Sequence, residues 1–86
     1  MSRYEIPSIA ERWEVIVGWD SPLNTFFAQV YDRSIEDEDT QLIVWEGLDP
    51  RHPIHDIERV RRIVYPYTPQ PHIPYDVEVM LTRDYD

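Results

Sequence analysis

The stretch from Trp13 to Asp32, WEVIVGWD-SPLN-TFFAQVYD, constrains this chain more than any other. It holds two apolar-rich runs joined by four residues with turn chemistry. The β-branched side chains of Val15, Ile16 and Val17 favour a strand over residues 12–20, and a second strand follows over 25–32. Between them, Ser21 suits the first position of a turn, Pro22 presets φ at the second, and Asn24 tolerates left-handed backbone. Side-chain parity then sets the register. With Asp20 opposite Thr25, Trp19 faces Phe26, Val17 faces Ala28 and Val15 faces Val30. One face collects Trp13, Val15, Val17, Trp19, Phe26, Ala28 and Val30. The other receives Glu14, Ile16, Gly18, Asp20, Thr25, Phe27, Gln29 and Tyr31. A slip of one residue would mix polar groups into both faces. Gly18 opposite Phe27 leaves room for the ring.

Around this hairpin the chain divides by composition. Residues 1–11 read as an extended arm interrupted by Pro7. Residues 33–40, RSIEDEDT, form a loop in which Glu36, Asp37, Glu38 and Asp39 repel one another and stay in water. A third strand over 41–46 is apolar on both parities, which predicts a strand covered on both sides or central in the sheet. Ile54, Ile57, Val60 and Val64 share one helical face and predict a helix over 54–64, with Asp56 as its N-cap or first-turn acid. Residues 65–74, YPYTPQPHIP, read as a Pro-rich linker laid over the surface. Two PxxP spacings occur there, and the density of proline is enough to explain them. The last stretch fits two periods. Val77, Val79 and Leu81 alternate as in a strand, whereas Ile73, Val77, Met80 and Leu81 fit a short helix over 74–83 opened by Pro74. The helix is the preferred reading. The expected fold is a single α+β domain over 1–86: a three-stranded antiparallel meander, then two helices packed on it.

Charge and composition limit the partners. At 86 residues the chain buries roughly 60–65% of its unfolded surface, so one modest core is expected. The formal charge is −9, of which −8 falls in the first fifty residues. Such a surface repels nucleic acid and anionic membranes and attracts basic partners. All eight fixed cations are arginines. Cysteine is absent, which rules out disulfides and thiolate metal sites and suits a reducing compartment. No apolar run approaches the ~20 residues that span a bilayer. The start, MSRYEIPS, lacks the apolar segment of a signal peptide. The cytoplasm is the expected location.

Little in the chain points to chemistry. Gly18 and Gly47 are the only glycines, so no phosphate-binding loop can form. The serines sit in turn or terminal contexts, away from any nucleophile elbow. Asp20 and Asp32 end the two hairpin strands and could pair as acid and base, although strand-end acids are more often turn formers. His52 and His55, with Asp49 or Asp56, could hold a transition metal; exposed loop histidines are the plainer reading. No cofactor is expected. The basic cluster Arg59, Arg61 and Arg62 is expected to pair with acids of the same protein or a partner. The outer face of the hairpin is more informative. Two short helices can cover only one face of the sheet, so the other keeps an apolar patch of the kind that marks interfaces. The expected docking residues are Ile16, Phe27, Tyr31 and Trp45, with the acidic group Glu36, Asp37, Glu38 and Asp39.

The run GWDSPLNTFFAQVYD, followed later by VWEGLDP, resembles small bacterial proteins of uncharacterised activity that carry a GWD-PL-TFFAQV-type segment. The resemblance spans residues 13–50. It implies a bacterial cytoplasmic protein and no catalytic or binding residues. The expected function is a non-catalytic protein-interaction module whose candidate partners include a second copy of itself, acting through an aromatic sheet surface and an acidic face. A rival reading is an acidic inhibitor of anti-restriction or anti-CRISPR type that mimics nucleic acid on a basic site. A third is a metal-binding protein using His52 and His55.

Overall fold

The computed structural model describes residues 2–85; Met1 of the expected arm and the terminal Asp86 lie outside the described residues. The hairpin forms in the expected register. Strands β2 (Trp13–Asp20) and β3 (Thr25–Asp32) pair antiparallel, with Asp20 opposite Thr25, Trp19 opposite Phe26 and Gly18 opposite Phe27. Asn24 takes the left-handed conformation at φ 54°, and the Asp20 carboxylate accepts a bond from the Leu23 N–H at 3.2 Å. The turn is therefore closed by one short polar side chain and by the Asn24 N–H, which donates to the Ser21 carbonyl at 3.1 Å.

The sheet has four strands, not three. Residues expected to form an arm make strand β1 (Ser2–Ile6), paired antiparallel with β2. Tyr4 lies opposite Val17 and Ile6 opposite Val15, so both join the core face, while Arg3 and Glu5 point to the other face. The five-residue alternation was present in the sequence, but Pro7 and the short length disguised it. Beyond Pro7 the chain crosses to the helical layer, where the Ile9 N–H donates to the Tyr67 carbonyl at 3.0 Å.

The last strand, β4 (Leu42–Glu46), also departs from expectation. It occupies an edge of the β1-β2-β3-β4 order and is largely exposed. A strand apolar on both parities suggests cover on both sides, but the helices pack mainly on β1, β2 and β3, and of this strand Val44 alone packs against the core. A bulge between Val30 and Tyr31 of β3 sets Val44 opposite Val30 and Leu42 opposite Tyr31, leaving Ile43 as the extra residue.

Helix α1 (Ile57–Val64) starts three residues later than the 54–64 expected from periodicity. Ile54 is diverted into the sheet. The Phe26 N–H donates to the Ile54 carbonyl at 2.8 Å, and the Ile54 N–H donates to the Thr25 hydroxyl at 2.7 Å. Asp56 is the N-cap, its carboxylate accepting from the Glu58 N–H at 2.9 Å. The Pro-rich segment is more structured than a surface linker. Tyr65–Tyr67 form a 3₁₀ turn, and the buried Thr68 hydroxyl returns to the Val64 carbonyl at 2.9 Å. Ile73 enters the core. With a 3₁₀ turn at Pro66 and Ile73 buried, neither PxxP spacing presents a polyproline ligand. The ambiguous C-terminal stretch is helix α2 (Tyr75–Tyr85). Val77 and Leu81 face the core, whereas Met80 is exposed.

Both helices lie on one side of the sheet. Val60 and Val64 of α1, with Leu81 of α2, pack on Val15, Val17, Phe26, Ala28 and Val30. Arg61 ties the helices together, pairing with Glu58 of its own helix and with Glu78 of α2 at 3.0 Å. The end of α2 is latched to β1, where the Asp84 carboxylate accepts from the hydroxyls of Ser2 and Tyr4, each at 2.7 Å. This bond, ahead of burial, raises the Tyr4 phenol above its ordinary pKa. Tyr85 stacks on Phe26 with centroids 5.4 Å apart and meets Trp19 edge-on at 5.2 Å.

The hairpin register predicts a sensitive position at Gly18. A Cβ there would run into the Ser2 carbonyl oxygen and lie 2.5 Å from Phe27 Cζ. Gly18→Ala should cost about 3 kcal/mol, the upper end for overpacking. Urea unfolding would measure it, and a loss under about 0.5 kcal/mol would contradict this account of the strand contact.

Candidate functional site

The face of the sheet away from the helices is closed over its middle by the strands themselves. Phe27 is fully buried and Ile16 is 7% exposed. The Phe27 ring occupies the space that Gly18 leaves open. Arg3 of β1 reaches Gln29 of β3, Nη1 to Oε1 at 3.1 Å, so its stem lies across β2 on this face. Towards one end Arg33 pairs with Glu14 at 2.8 Å and with Glu5 at 3.6 Å. The contact with Glu14, first by hydrogen bond and then by charge, raises the Arg33 pKa further. Of the four apolar residues expected to meet a partner, Ile16 and Phe27 are thus enclosed and Tyr31 is half-buried. Trp45, opposite Gln29, is 52% exposed.

Trp45 has exposed apolar neighbours in β4. Leu42 shares its face, and Ile43 stands at the bulge; they are 37% and 41% exposed. Their signal in the sequence was the doubly apolar strand, read as a mark of burial. On an edge the same pattern exposes apolar side chains beside unpaired backbone. Just upstream, Glu36, Asp37, Glu38 and Asp39 are all exposed, and none forms an ion pair among the described residues. A short 3₁₀ turn, Glu38–Thr40, orders this run, with Asp37 as its cap accepting from the Asp39 N–H at 3.0 Å. Apolar strand edge and acidic run therefore form one continuous stretch of surface.

The two edges of the sheet differ in kind. β1 carries outward Arg3 and Glu5, ends against Pro7 and is tied to α2 through Asp84. Charges and prolines of this sort blunt an edge against further pairing. β4 reads Leu42-Ile43-Val44-Trp45 before its first charge at Glu46. Its protection is the acids that flank it and the bulge, which limits regular pairing to Val44–Glu46 and leaves Ile43 out of register.

The other candidate groups do not converge. Asp20 sits at the turn end of the hairpin and Asp32, opposite Trp13, at the far end. At about 3.3 Å per residue they lie about 23 Å apart along the strand, too far to act on one substrate bond. Each has a local role instead. Asp32 accepts from the Ser34 hydroxyl at 2.6 Å and N–H at 3.0 Å, and pairs with Arg12 at 2.9 Å. His52 and His55 are exposed, and His55 lies beside Tyr85 with centroids 6.4 Å apart. Among the described residues no group of three or more histidine, aspartate or glutamate side chains is placed to hold a metal ion. Of the basic cluster, Arg61 pairs with acids of the same chain, whereas Arg59 and Arg62 show no ion pair among the described residues. No helix among the described residues is long and apolar enough to cross a membrane. No family model matches the chain, nor does any curated protein or solved structure.

The Asp32 cluster has a defined pH signature. The Ser34 hydroxyl, then the Ser34 amide and Arg12, hold its carboxyl below the ordinary aspartate range against the opposing effect of burial. A folded pKa below the unfolded one contributes stability above the ordinary range, lost as pH falls through the lowered value. The stability gap between wild type and Asp32→Asn should therefore shrink as the pH is taken from neutral into that range. Urea midpoints at a series of pH values give the gap, and a constant difference would refute the assignment.

Proposed function

We propose that this chain is a non-catalytic protein-interaction module of the bacterial cytoplasm, and that it docks its partner on the outer edge of β4. The observation that carries this reading is the asymmetry of the sheet. One edge is guarded by charge, proline and a helix latch, while the other offers an apolar strand with a free backbone. Burying the exposed half of Trp45 would remove on the order of 100 Å² from water, worth about 2–3 kcal/mol before the costs of association. That is too little for a specific complex, so backbone pairing and charge must supply the rest.

A second copy is the weaker occupant of this edge. Antiparallel pairing of two β4 strands would set Glu46 of one copy beside the acidic run that precedes Leu42 in the other, and each copy carries −9. The expected solution species at micromolar concentration is the 10.4 kDa monomer. The rival reading, an acidic inhibitor seated on a basic nucleic-acid-binding site, is supported by the four exposed, unpaired acids at Glu36–Asp39.

Affinity capture from a bacterial extract at low salt, with wild type against Ile43→Lys, tests the leading reading. Ile43 is exposed, so the variant should keep its fold within about 0.5 kcal/mol and lose the retained protein. Equal retention by both would refute docking on β4. A retained protein that binds nucleic acid and is displaced by it would move the weight to the inhibitor reading.

A further inference from the structure

The β4 edge carries a charge pattern as well as a free backbone, and the two together specify an occupant. The apolar segment Leu42–Trp45 holds no cation. Exposed Glu46 closes one end and the run Glu36–Asp39 approaches the other. None of these five carboxylates forms an ion pair among the described residues. The arginines on either side are already engaged, Arg33 with Glu14 and Glu5, and Arg51 with Asp49 at 3.2 Å. The strand is thus bracketed by negative charge that the protein does not neutralise.

Resting on the docking role proposed above, the geometry points to an extended, arginine- or lysine-bearing peptide segment that adds a fifth strand to β4. Its backbone pairs with the open edge. Its apolar side chains lie on Leu42 and Trp45, which share a face of the sheet. Its cations meet Glu46 and the acidic run. Regular pairing along β4 covers only Val44–Glu46 before the bulge, so the added ladder is short. Affinity then depends on the flanking charges and falls with salt. This also explains the choice of partner. A second copy or any acidic segment meets repulsion at both ends, and a folded basic surface without a free strand cannot use the backbone edge.

The test uses the full chain and a synthetic peptide of about ten residues, the length of a long strand, alternating arginine with valine. One control peptide is N-methylated at every amide, which removes all its backbone donors whichever edge faces β4; another replaces arginine by glutamate. Fluorescence titration at low salt should show the first peptide binding at least about tenfold tighter than either control. Hydrogen exchange of the Leu42–Glu46 amides should slow on binding, while those of β1 do not change. The variant Glu36→Gln, Asp37→Asn, Glu38→Gln, Asp39→Asn should weaken binding by about tenfold or more without unfolding, since asparagine at 37 keeps the cap. Equal binding of the N-methylated peptide would reduce the contact to charge alone and overturn strand addition. Protection of β4 that grows with protein concentration and needs no peptide would name a second copy as occupant. Absence of binding by any peptide would also overturn the inference. In each case the docking role survives if Ile43→Lys still abolishes capture, and falls with the inference if it does not.

Discussion

The Phe27 ring can fill the space above Gly18 only when Asp20 pairs with Thr25. That single register places Val15, Val17, Phe26, Ala28 and Val30 on one face, where the helices close over them. It also carries the Thr25 hydroxyl to the Ile54 amide, so the segment after β4 is pinned to β3 before α1 begins. A slip by one residue would cost the packing of Phe27, the bridge to Ile54 and the apolar face together. The hairpin is the template on which β1, β4 and both helices are placed.

From that template follows the difference between the two faces. The inner face is sealed by Val60, Val64, Ile73 and Leu81. The outer face has no helix, and the strands close its centre with their own side chains, through Phe27 over Gly18 and Arg3 reaching Gln29. What stays open is displaced to the edge, at Leu42, Ile43 and Trp45. An apolar edge is an aggregation hazard for a free protein. In this chain the bulge and the flanking acids restrain it, because both disfavour the flat, like-charged approach of a second copy.

Sequence patterns were most informative where the physics is local. The hairpin register, the Asn24 turn, the Asp56 cap and the helical character of the last segment were all legible. Each depends on residues a few positions apart. Strand β1 was less legible because five residues beside a proline carry too little periodicity to distinguish a strand from an arm. Helix α1 began late because Ile54 fits the helical period equally well as a helix residue or as a strand partner, and Thr25, far away in the chain, decided between them.

The candidate site divides in the same way. Trp45 and the acids Glu36, Asp37, Glu38 and Asp39 could be named from the sequence, since a large aromatic in a strand and a run of like charges are local facts. By itself the sequence determined an α+β chain built on one hairpin, a negative surface and an apolar strand over 41–46. Only the tertiary structure decided that β4 is an edge, that Leu42 and Ile43 are exposed, and that Ile16 and Phe27 are enclosed. The reason is that exposure belongs to neighbours rather than to residues. β1 arrives from the start of the chain to flank β2, no element among the described residues arrives to flank β4, and no periodicity within either strand records which of the two it will be.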